Sequence, residues 1–351
     1  MCIFGTERFT LIMHGQIRDS INFIITLTPL KDWNVIRLLR SFYISRWTRK
    51  SGISGLPAAL SIEPTTSCNL RCPQCPSGLR KFTRPTGMMG MDLYKEIIDE
   101  LSGHLAYLML YFQGEPFLHP EFLAMVQHAK KRNIYTATST NGHYLDKKNT
   151  EAIVQSGLDR LIISIDGVSQ GVYEKYRKGG KVDRVLEGIE NLIEAKKKLN
   201  SHTPYIILQF LAFQHNLHEL ERIREMARRW KVKLTIKTAQ VYDVLGDLAM
   251  IPANTSFSRY EKVPEGDYVL KNKLYNHCWK MWHSSIITWD GLVVPCCFDK
   301  DADHRMGSFA RGNFREIWKG PVYQKFREKI LTDRKGIDIC RNCSEGSKIW
   351  I

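Results

Sequence analysis

The sequence predicts an α/β fold: a partial (β/α)6 TIM-like barrel, preceded by an amphipathic helix and followed by a small C-terminal α+β domain. Three observations predict it. Apolar runs of strand length alternate with helical-period segments six times between Leu60 and Lys237. Runs such as Leu161-Ile162-Ile163 and Ile206-Ile207-Leu208 are uninterrupted, as in parallel strands covered on both faces. The alternation stops after Lys237, and a cysteine-bearing segment with hairpin signals begins at Cys278. An open sheet with Rossmann-like winding gives the same alternation, but the G-x-G-x-x-G turn that would argue for it is absent.

Residues 1–20 show no clear period. From Asp32 to Trp47, the side chains Trp33, Ile36, Leu39, Phe42 and Tyr43 recur at helical spacing, with Arg37, Arg40, Arg46, Arg49 and Lys50 among and after them. Such a stripe is expected to pack on its parent domain, the commoner outcome for an amphipathic helix. Peripheral membrane contact through residues 32–50 is the alternative, because basic aromatic helices also lie in membrane interfaces. Ser51-Gly52-Ile53-Ser54-Gly55 reads as a linker. The expected divisions are a leader over 1–57, the barrel over 58–239, a polar bridge over 240–276 and a cysteine domain over 277–351.

Within the barrel, strands are expected at Leu60–Glu63, Leu105–Phe112, Ile134–Ser139, Asp159–Ile165, Tyr205–Phe213 and Val232–Lys237. The helices between them span Asp92–Leu101, Glu121–Arg132, Lys147–Ser156, Val182–Leu199 and Leu217–Trp230. In barrels of this kind the chemistry sits at the C-terminal ends of the strands.

Composition narrows the function classes. A chain of 351 residues can bury a large core, and 43% hydrophobic with 25% charged residues is ordinary for a globular protein. Nine cysteines, with no secretion signal read, fit metal ligation in a reducing, cytoplasmic setting better than a disulfide framework. No apolar run reaches the 18 residues that a membrane span needs. The net charge of +15 invites a nucleic-acid partner, but Lys130-Lys131-Arg132, Lys196-Lys197-Lys198 and Arg228-Arg229 each sit near an expected helix end. There they complement the helix dipole, so nucleic acid is not the expected partner.

After the first strand come Cys68-Asn69-Leu70-Arg71-Cys72-Pro73-Gln74-Cys75, a C-x3-C-x2-C run. Three thiolates this close can hold three irons of a 4Fe–4S cube and leave the fourth iron open to a small molecule. A zinc site is the alternative, although zinc favours paired C-x2-C units with a fourth ligand nearby, and the nearest His is His104. The spacing resembles the signature of the radical S-adenosylmethionine (radical SAM) superfamily, in which the open iron chelates the methionine end of S-adenosylmethionine. That family usually places an aromatic residue before the last cysteine, near adenine; here it is Gln74.

The resemblance continues along the strand ends. Gln113-Gly114-Glu115-Pro116 is similar to the family's G-G-E-P motif, with Gln in place of the first Gly. It implies that this turn meets the methionine ammonium, through close backbone approach at Gly114 and the Glu115 charge. Thr138-Ser139-Thr140-Asn141-Gly142 and Ser164-Ile165-Asp166-Gly167 resemble family strand ends that line the cofactor pocket. The resemblance places Asn141, Ser164 and Asp166 there, with Arg177 meeting the cofactor carboxylate and Gln209 a further polar liner.

In the C-terminal segment Cys278 precedes Trp289-Asp290-Gly291, a turn between Ile286-Ile287-Thr288 and Leu292-Val293-Val294, and Cys296 follows Gly291 at G-x4-C spacing. An expected helix over Phe314–Leu331 separates these from Cys340-Arg341-Asn342-Cys343. Four thiolates can fully ligate one cube, or one structural zinc. The arrangement resembles the SPASM/twitch extension of radical SAM enzymes. Six cysteines remain once Cys68, Cys72 and Cys75 are used, too few for the two auxiliary clusters of full SPASM domains. The resemblance therefore implies two 4Fe–4S clusters in all, leaving Cys2 and Cys297 unassigned.

The implied activity is that of a radical SAM oxidoreductase or modifying enzyme. It would cleave S-adenosylmethionine reductively to a 5′-deoxyadenosyl radical and take a hydrogen atom from substrate, with the auxiliary cluster accepting an electron. A flavodoxin or ferredoxin would be the reductant. Asp290, Asp299, Asp301 and His283 are candidates for the base that oxidation needs, and Cys297 for a hydrogen-atom donor in an epimerase. The leader reads as helix and not as a strand-built peptide-recognition domain, which favours a small or carbohydrate-like substrate, or a peptide delivered by a separate protein. Peptide maturase or epimerase remains the alternative; a basic electron carrier or an RNA-binding module is the alternative outside enzymes.

Overall fold

The computed structural model describes residues 15–241, 248–264, 268–309 and 314–346. Cys2 and most of the expected ragged start lie outside them. Six parallel strands form the frame: β1 (Ala59–Ile62), β2 (Tyr107–Met109), β3 (Tyr135–Thr140), β4 (Arg160–Ser164), β5 (Tyr205–Ala212) and β6 (Lys233–Thr238). Each pairs with the next in sequence order. Rossmann winding would reverse the order part-way along the sheet, so that alternative is excluded. Helices Met91–Leu101, Phe122–Lys131, Lys147–Gln155, Val182–Lys198 and Leu220–Trp230 provide the crossovers that parallel neighbours require. Their apolar faces (Ile97, Leu101, Val126, Ile153, Ile189 and Ile223) pack into one core with Leu108, Leu161 and Leu208 of the strands.

The strands are not equally covered on both faces, as their apolar runs had suggested. In β5, Ile206, Leu208, Phe210 and Ala212 are buried, whereas Ile207, Gln209 and Leu211 are half-buried. Gln209 and Leu211, with Ile162 and Ser164 of β4, line an internal cavity.

The C-terminal segment extends the same sheet. A separate antiparallel hairpin, β7 (Tyr260–Lys262) with β8 (Tyr268–Leu270), lies inside the stretch that reads as a polar bridge. Three-residue strands leave too weak a period to see in sequence. Beyond it β9 (Ser284–Ile287) pairs parallel with β1, β10 (Leu292–Val294) turns back on β9, and β11 (Gly307–Ser308) closes the edge. The sheet therefore runs β11-β10-β9-β1-β2-β3-β4-β5-β6, with β11 and β6 as its ends. Helix Phe314–Leu331 is broken in two at Gly320, where a Cβ would fall 2.6 Å from the Glu316 carbonyl oxygen; Phe314–Lys319 and Pro321–Asp333 result.

Helix Pro29–Thr48 begins at a Thr28 cap with Pro at its first position and ends on left-handed Arg49. It docks as expected, but not by the expected stripe. Phe42 is buried, with its ring centroid 5.3 Å from Trp279 and 5.5 Å from Trp282, and Leu39 is partly buried, while Trp33, Ile36 and Tyr43 are exposed. Polar residues form much of the docking face. Asn34 Oδ1 accepts from Leu56 N and its Nδ2 donates to Leu56 O. Ser41 Oγ accepts from Ser54 N, and Ser45 Oγ from Gly52 N. The linker's backbone groups need partners, and these side chains supply them. Among the described residues no helix is long and apolar enough to cross a membrane.

Candidate active site

The cysteine loop leaves the C-terminal end of β1 and is tied down on several sides. Glu115 N donates to Ser67 O at 2.7 Å, Gly114 N to Ser77 Oγ at 2.9 Å, and Arg71 N to Lys178 O at 3.0 Å. Asn141 Nδ2 donates to Asn69 Oδ1 at 2.7 Å and lies 3.9 Å from Cys68 Sγ. The bonds from Gly114 N and Glu115 N need a glycine at 114, which sits at φ +74° where a Cβ would fall 2.2 Å from Thr65 O.

Cys68, Cys72 and Cys75 all line the cavity, whose volume is about 520 Å³. Burial pushes the Cys68 thiol up to about 12 and raises that of Cys72 against the opposing pull of Arg177. Bare thiolates are therefore disfavoured here, and positive metal must accompany their deprotonation. Three cysteines on one loop, Cys72 buried and Cys68 and Cys75 half-buried, facing a cavity with room for a ligand, fit an iron–sulfur cube with one open iron.

The strand ends bring most of the expected liners to the same cavity: Gln113, Gly114, Glu115, Asn141, Ser164, Arg177 and Gln209. Glu115 is 2% exposed and accepts from Asn141 N and Thr140 Oγ1, both at 2.8 Å. Burial nevertheless raises its carboxyl to about 7, the donors and Arg177 only moderating the shift. Pro116 does not line the cavity; it starts the single turn Pro116–Leu118. Asp166 does not line it either. Its carboxylate accepts from Leu211 N at 2.7 Å and from Arg177 Nε at 2.6 Å, so it stands behind Arg177 and orients it.

The four candidate bases lie elsewhere. Thr288 Oγ1 donates to Asp290 within the hairpin turn. Asp299 accepts from Asp303 N and His304 N, and Asp301 from Thr83 N and Oγ1. Nδ1 of His283 faces the Trp279 carbonyl, and burial lowers the ring to about 4. Asp299 is taken by backbone donors of its own turn, the ordinary use of Asp there, whereas Asp301 is taken by the distant Thr83 and Arg84 and Asp290 by the Thr288 hydroxyl. Cys297 alone of the residues named as catalytic candidates lines the cavity. Sequence reading missed its companions on that wall: Lys237, Arg259, Lys280, Lys300 and Glu345. Lys280 pairs with Glu345 at 2.7 Å. No motif marks them, because β6, the bridge and the C-terminal segment supply them from separate stretches.

Cys278, Cys296, Cys340 and Cys343 line a second, enclosed pocket. At its rim Gly346, φ +79°, sits where a Cβ would fall 2.3 Å from Cys278 Sγ. Burial raises the Cys296 and Cys343 thiols and takes Cys340 up to about 11. Buried Arg334, absent from the sequence reading, donates from Nη1 to His277 O at 2.8 Å and reaches Cys343 Sγ with Nη2 at 3.5 Å. A guanidinium beside four sulfurs fits a thiolate-rich, negatively charged centre.

Fold and site together define an α/β iron–sulfur enzyme whose cofactor pocket opens at the C-terminal ends of parallel strands. The Radical SAM superfamily model matches residues 62–227, and the SPASM model, an iron–sulfur cluster-binding domain, matches residues 278–344. Over 319 residues the chain is 26% identical to a tungsten-containing aldehyde ferredoxin oxidoreductase cofactor-modifying protein of Pyrococcus furiosus, covering 81% of this chain and 86% of that one. It is 24% identical to the mycofactocin maturase MftC of Mycobacterium ulcerans, covering 84% of each. Among solved structures, Streptococcus suis SuiB bound to S-adenosylmethionine superposes with a TM-score of 0.61 at 13% identity, over 86% of this chain and 75% of that one. The chain belongs to the radical SAM superfamily and carries a SPASM domain after its core. It is a radical SAM enzyme, with S-adenosylmethionine, a 4Fe–4S cluster in the core and auxiliary iron–sulfur in the SPASM domain as its cofactors.

Proposed function

We propose that the enzyme oxidises or otherwise modifies a substrate C–H bond inside the 520 Å³ cavity, with a single auxiliary 4Fe–4S cluster beside it. One observation carries this reading: Cys68, Cys72 and Cys75 of the core loop, and Lys280, Cys297 and Glu345 of the C-terminal segment, border the same space. When bound, the core cluster and S-adenosylmethionine supply the one-electron cleavage and the hydrogen abstraction. The chain's own residues bind, orient and shield. Gly114 and Glu115 offer close backbone approach and a carboxylate to an ammonium, and Arg177, held by Asp166, offers its guanidinium to a carboxylate. Asn141, Ser164 and Gln209 supply further polar contacts, and the strand ends exclude water.

The relatives' names, a cofactor-modifying protein and a maturase, favour a modification reaction, and the substrate we propose is a small molecule or a peptide-borne group. A flavodoxin or ferredoxin would deliver the electron, and an acidic carrier suits a chain of net charge +15. A second reading, epimerisation, is favoured by Cys297, which is exposed to the cavity and able to return a hydrogen atom.

Anaerobic reconstitution followed by iron analysis, then S-adenosylmethionine with dithionite, tests the proposal. About eight irons and 5′-deoxyadenosine are expected; about four irons and no product would refute it. Turnover in deuterated water separates the two outcomes, since epimerisation places solvent deuterium in the product and dehydrogenation does not.

A further inference from the structure

The docked helix Pro29–Thr48 leaves one side uncovered, and that side is apolar. Leu30, Trp33, Ile36, Tyr43 and Ile44 are 46–52% exposed, and Trp47 is 87% exposed. With Ile17, Ile21, Ile24 and Ile25 just before them, they make ten of the fifteen exposed large apolar side chains among the described residues. Single exposed apolar residues need no explanation, but this concentration on one segment marks a contact surface.

The polar residues around the patch carry one sign. Arg37, Arg40, Arg46, Arg49 and Lys50 are exposed along and after the helix, against a single exposed acid, Asp32. The Arg37 guanidinium lies over Trp33 at 5.6 Å, so charge and aromatic ring sit together. A second feature meets the patch at its C-terminal end. Arg46 and Arg49 border a cavity of about 460 Å³ whose other walls include His277, Lys335 and Asp333. That opening lies beside Trp47 in the chain, and three of its eight lining residues, Arg46, Arg49 and Lys335, are basic against one acid, Asp333.

We infer that this face docks the enzyme on an anionic phospholipid surface, the apolar side chains entering the headgroup boundary and the basic cavity receiving a lipid phosphate. Tryptophan and tyrosine with arginine at an apolar edge suit the interface between water and lipid. A second copy fits less well. A two-fold contact would set the arginines of one face against those of the other. The contact we infer is peripheral, since among the described residues no helix is long and apolar enough to cross a membrane.

Co-sedimentation of the reconstituted holoenzyme tests this, with vesicles of phosphatidylcholine alone and of phosphatidylcholine containing phosphatidylglycerol. Binding is expected on the anionic vesicles only and weakens with salt. The double variant Arg40→Gln/Arg46→Gln lowers the partition constant about thirtyfold, the worth of two basic residues near an anionic surface. Trp47→Ser also lowers it, while 5′-deoxyadenosine formation in vesicle-free solution is unchanged in both variants. Failure to bind anionic vesicles overturns the inference, as does binding that neither variant weakens. Self-association in sedimentation velocity that Trp47→Ser abolishes would assign the face to a second copy, and inorganic phosphate bound without vesicle binding would assign the cavity to a soluble anion; either result overturns it too.

Discussion

Arg177 donates from Nε to Asp166 Oδ2 at 2.6 Å while its Nη1 stands 3.9 Å from Cys72 Sγ. The acid is fully buried and the guanidinium nearly so. Removing the acid leaves a buried cation without its partner, a change that costs about 3 kcal/mol or more. Asp166→Ala is therefore expected to lower unfolding free energy by that amount and to weaken S-adenosylmethionine binding. Arg177→Lys keeps the charge and loses the fork, so it should spare stability more than binding. Urea titration and equilibrium dialysis with the cofactor measure the two effects separately.

That pair also shows what the sequence made legible. Asp166 and Arg177 both stand out there, one at a strand end and one in the following segment. Their direct contact does not, because it depends on how the helix Gln170–Tyr176 returns towards β4. The parallel order of β1–β6 is readable from alternating patterns. The seating of β9 beside β1 is not, since it joins residues more than two hundred positions apart. It is secured by a pair with no local signature: Arg84 meets Glu63 at 2.6 and 2.8 Å, both buried, and Trp289 N donates to the same carboxylate at 3.2 Å. The acidic candidates Asp290, Asp299 and Asp301 could not be placed from sequence, because their partners, the Thr288 hydroxyl, the Asp303 amide and the distant Thr83, are fixed by the fold.

Glu115 gives the protein without cofactors a pH dependence of definite sign. Its folded carboxyl titrates at about 7, above the ordinary 4.5, because burial disfavours the charge. Below about pH 4.5 both folded and unfolded chains hold the proton, and its contribution is fully present. As pH rises towards 7 the unfolded chain releases the proton first, so stability falls by about 3 kcal/mol and then levels off. Glu115→Gln should flatten that slope, as urea titrations at about pH 5 and about pH 7.5 would show.

Gly114 couples the cysteine loop to the second strand's end. Alanine there would place its Cβ 2.2 Å from Thr65 O and 2.8 Å from Ser67 O, at φ +74°. Both the conformation and the contact oppose it, and we expect a loss of about 2 kcal/mol or more. The bonds from Gly114 N to Ser77 and from Glu115 N to Ser67 would loosen as the turn shifts. A lower melting temperature and faster iron loss from the core site during gel filtration under anaerobic conditions are the expected readouts.

The two cysteine sets make the same prediction for iron and opposite predictions for turnover. Cys72 belongs to the loop facing the cavity, whereas Cys340 and Cys343 close the enclosed pocket with Cys278 and Cys296. Cys72→Ala should reduce reconstituted iron from about eight to about four and abolish 5′-deoxyadenosine formation. Cys340→Ala/Cys343→Ala should also leave about four irons but retain that cleavage, because the cofactor pocket is built from the strand ends of the core. Arg334 would then lose its neighbour at Cys343 and remain a buried cation held by carbonyls, so a fall in stability accompanies the loss of iron. Zinc in place of the missing iron in the unsubstituted protein would show the enclosed site to be a structural metal centre. Iron there, removed by the double substitution without loss of cleavage, would place the second cluster downstream of hydrogen abstraction.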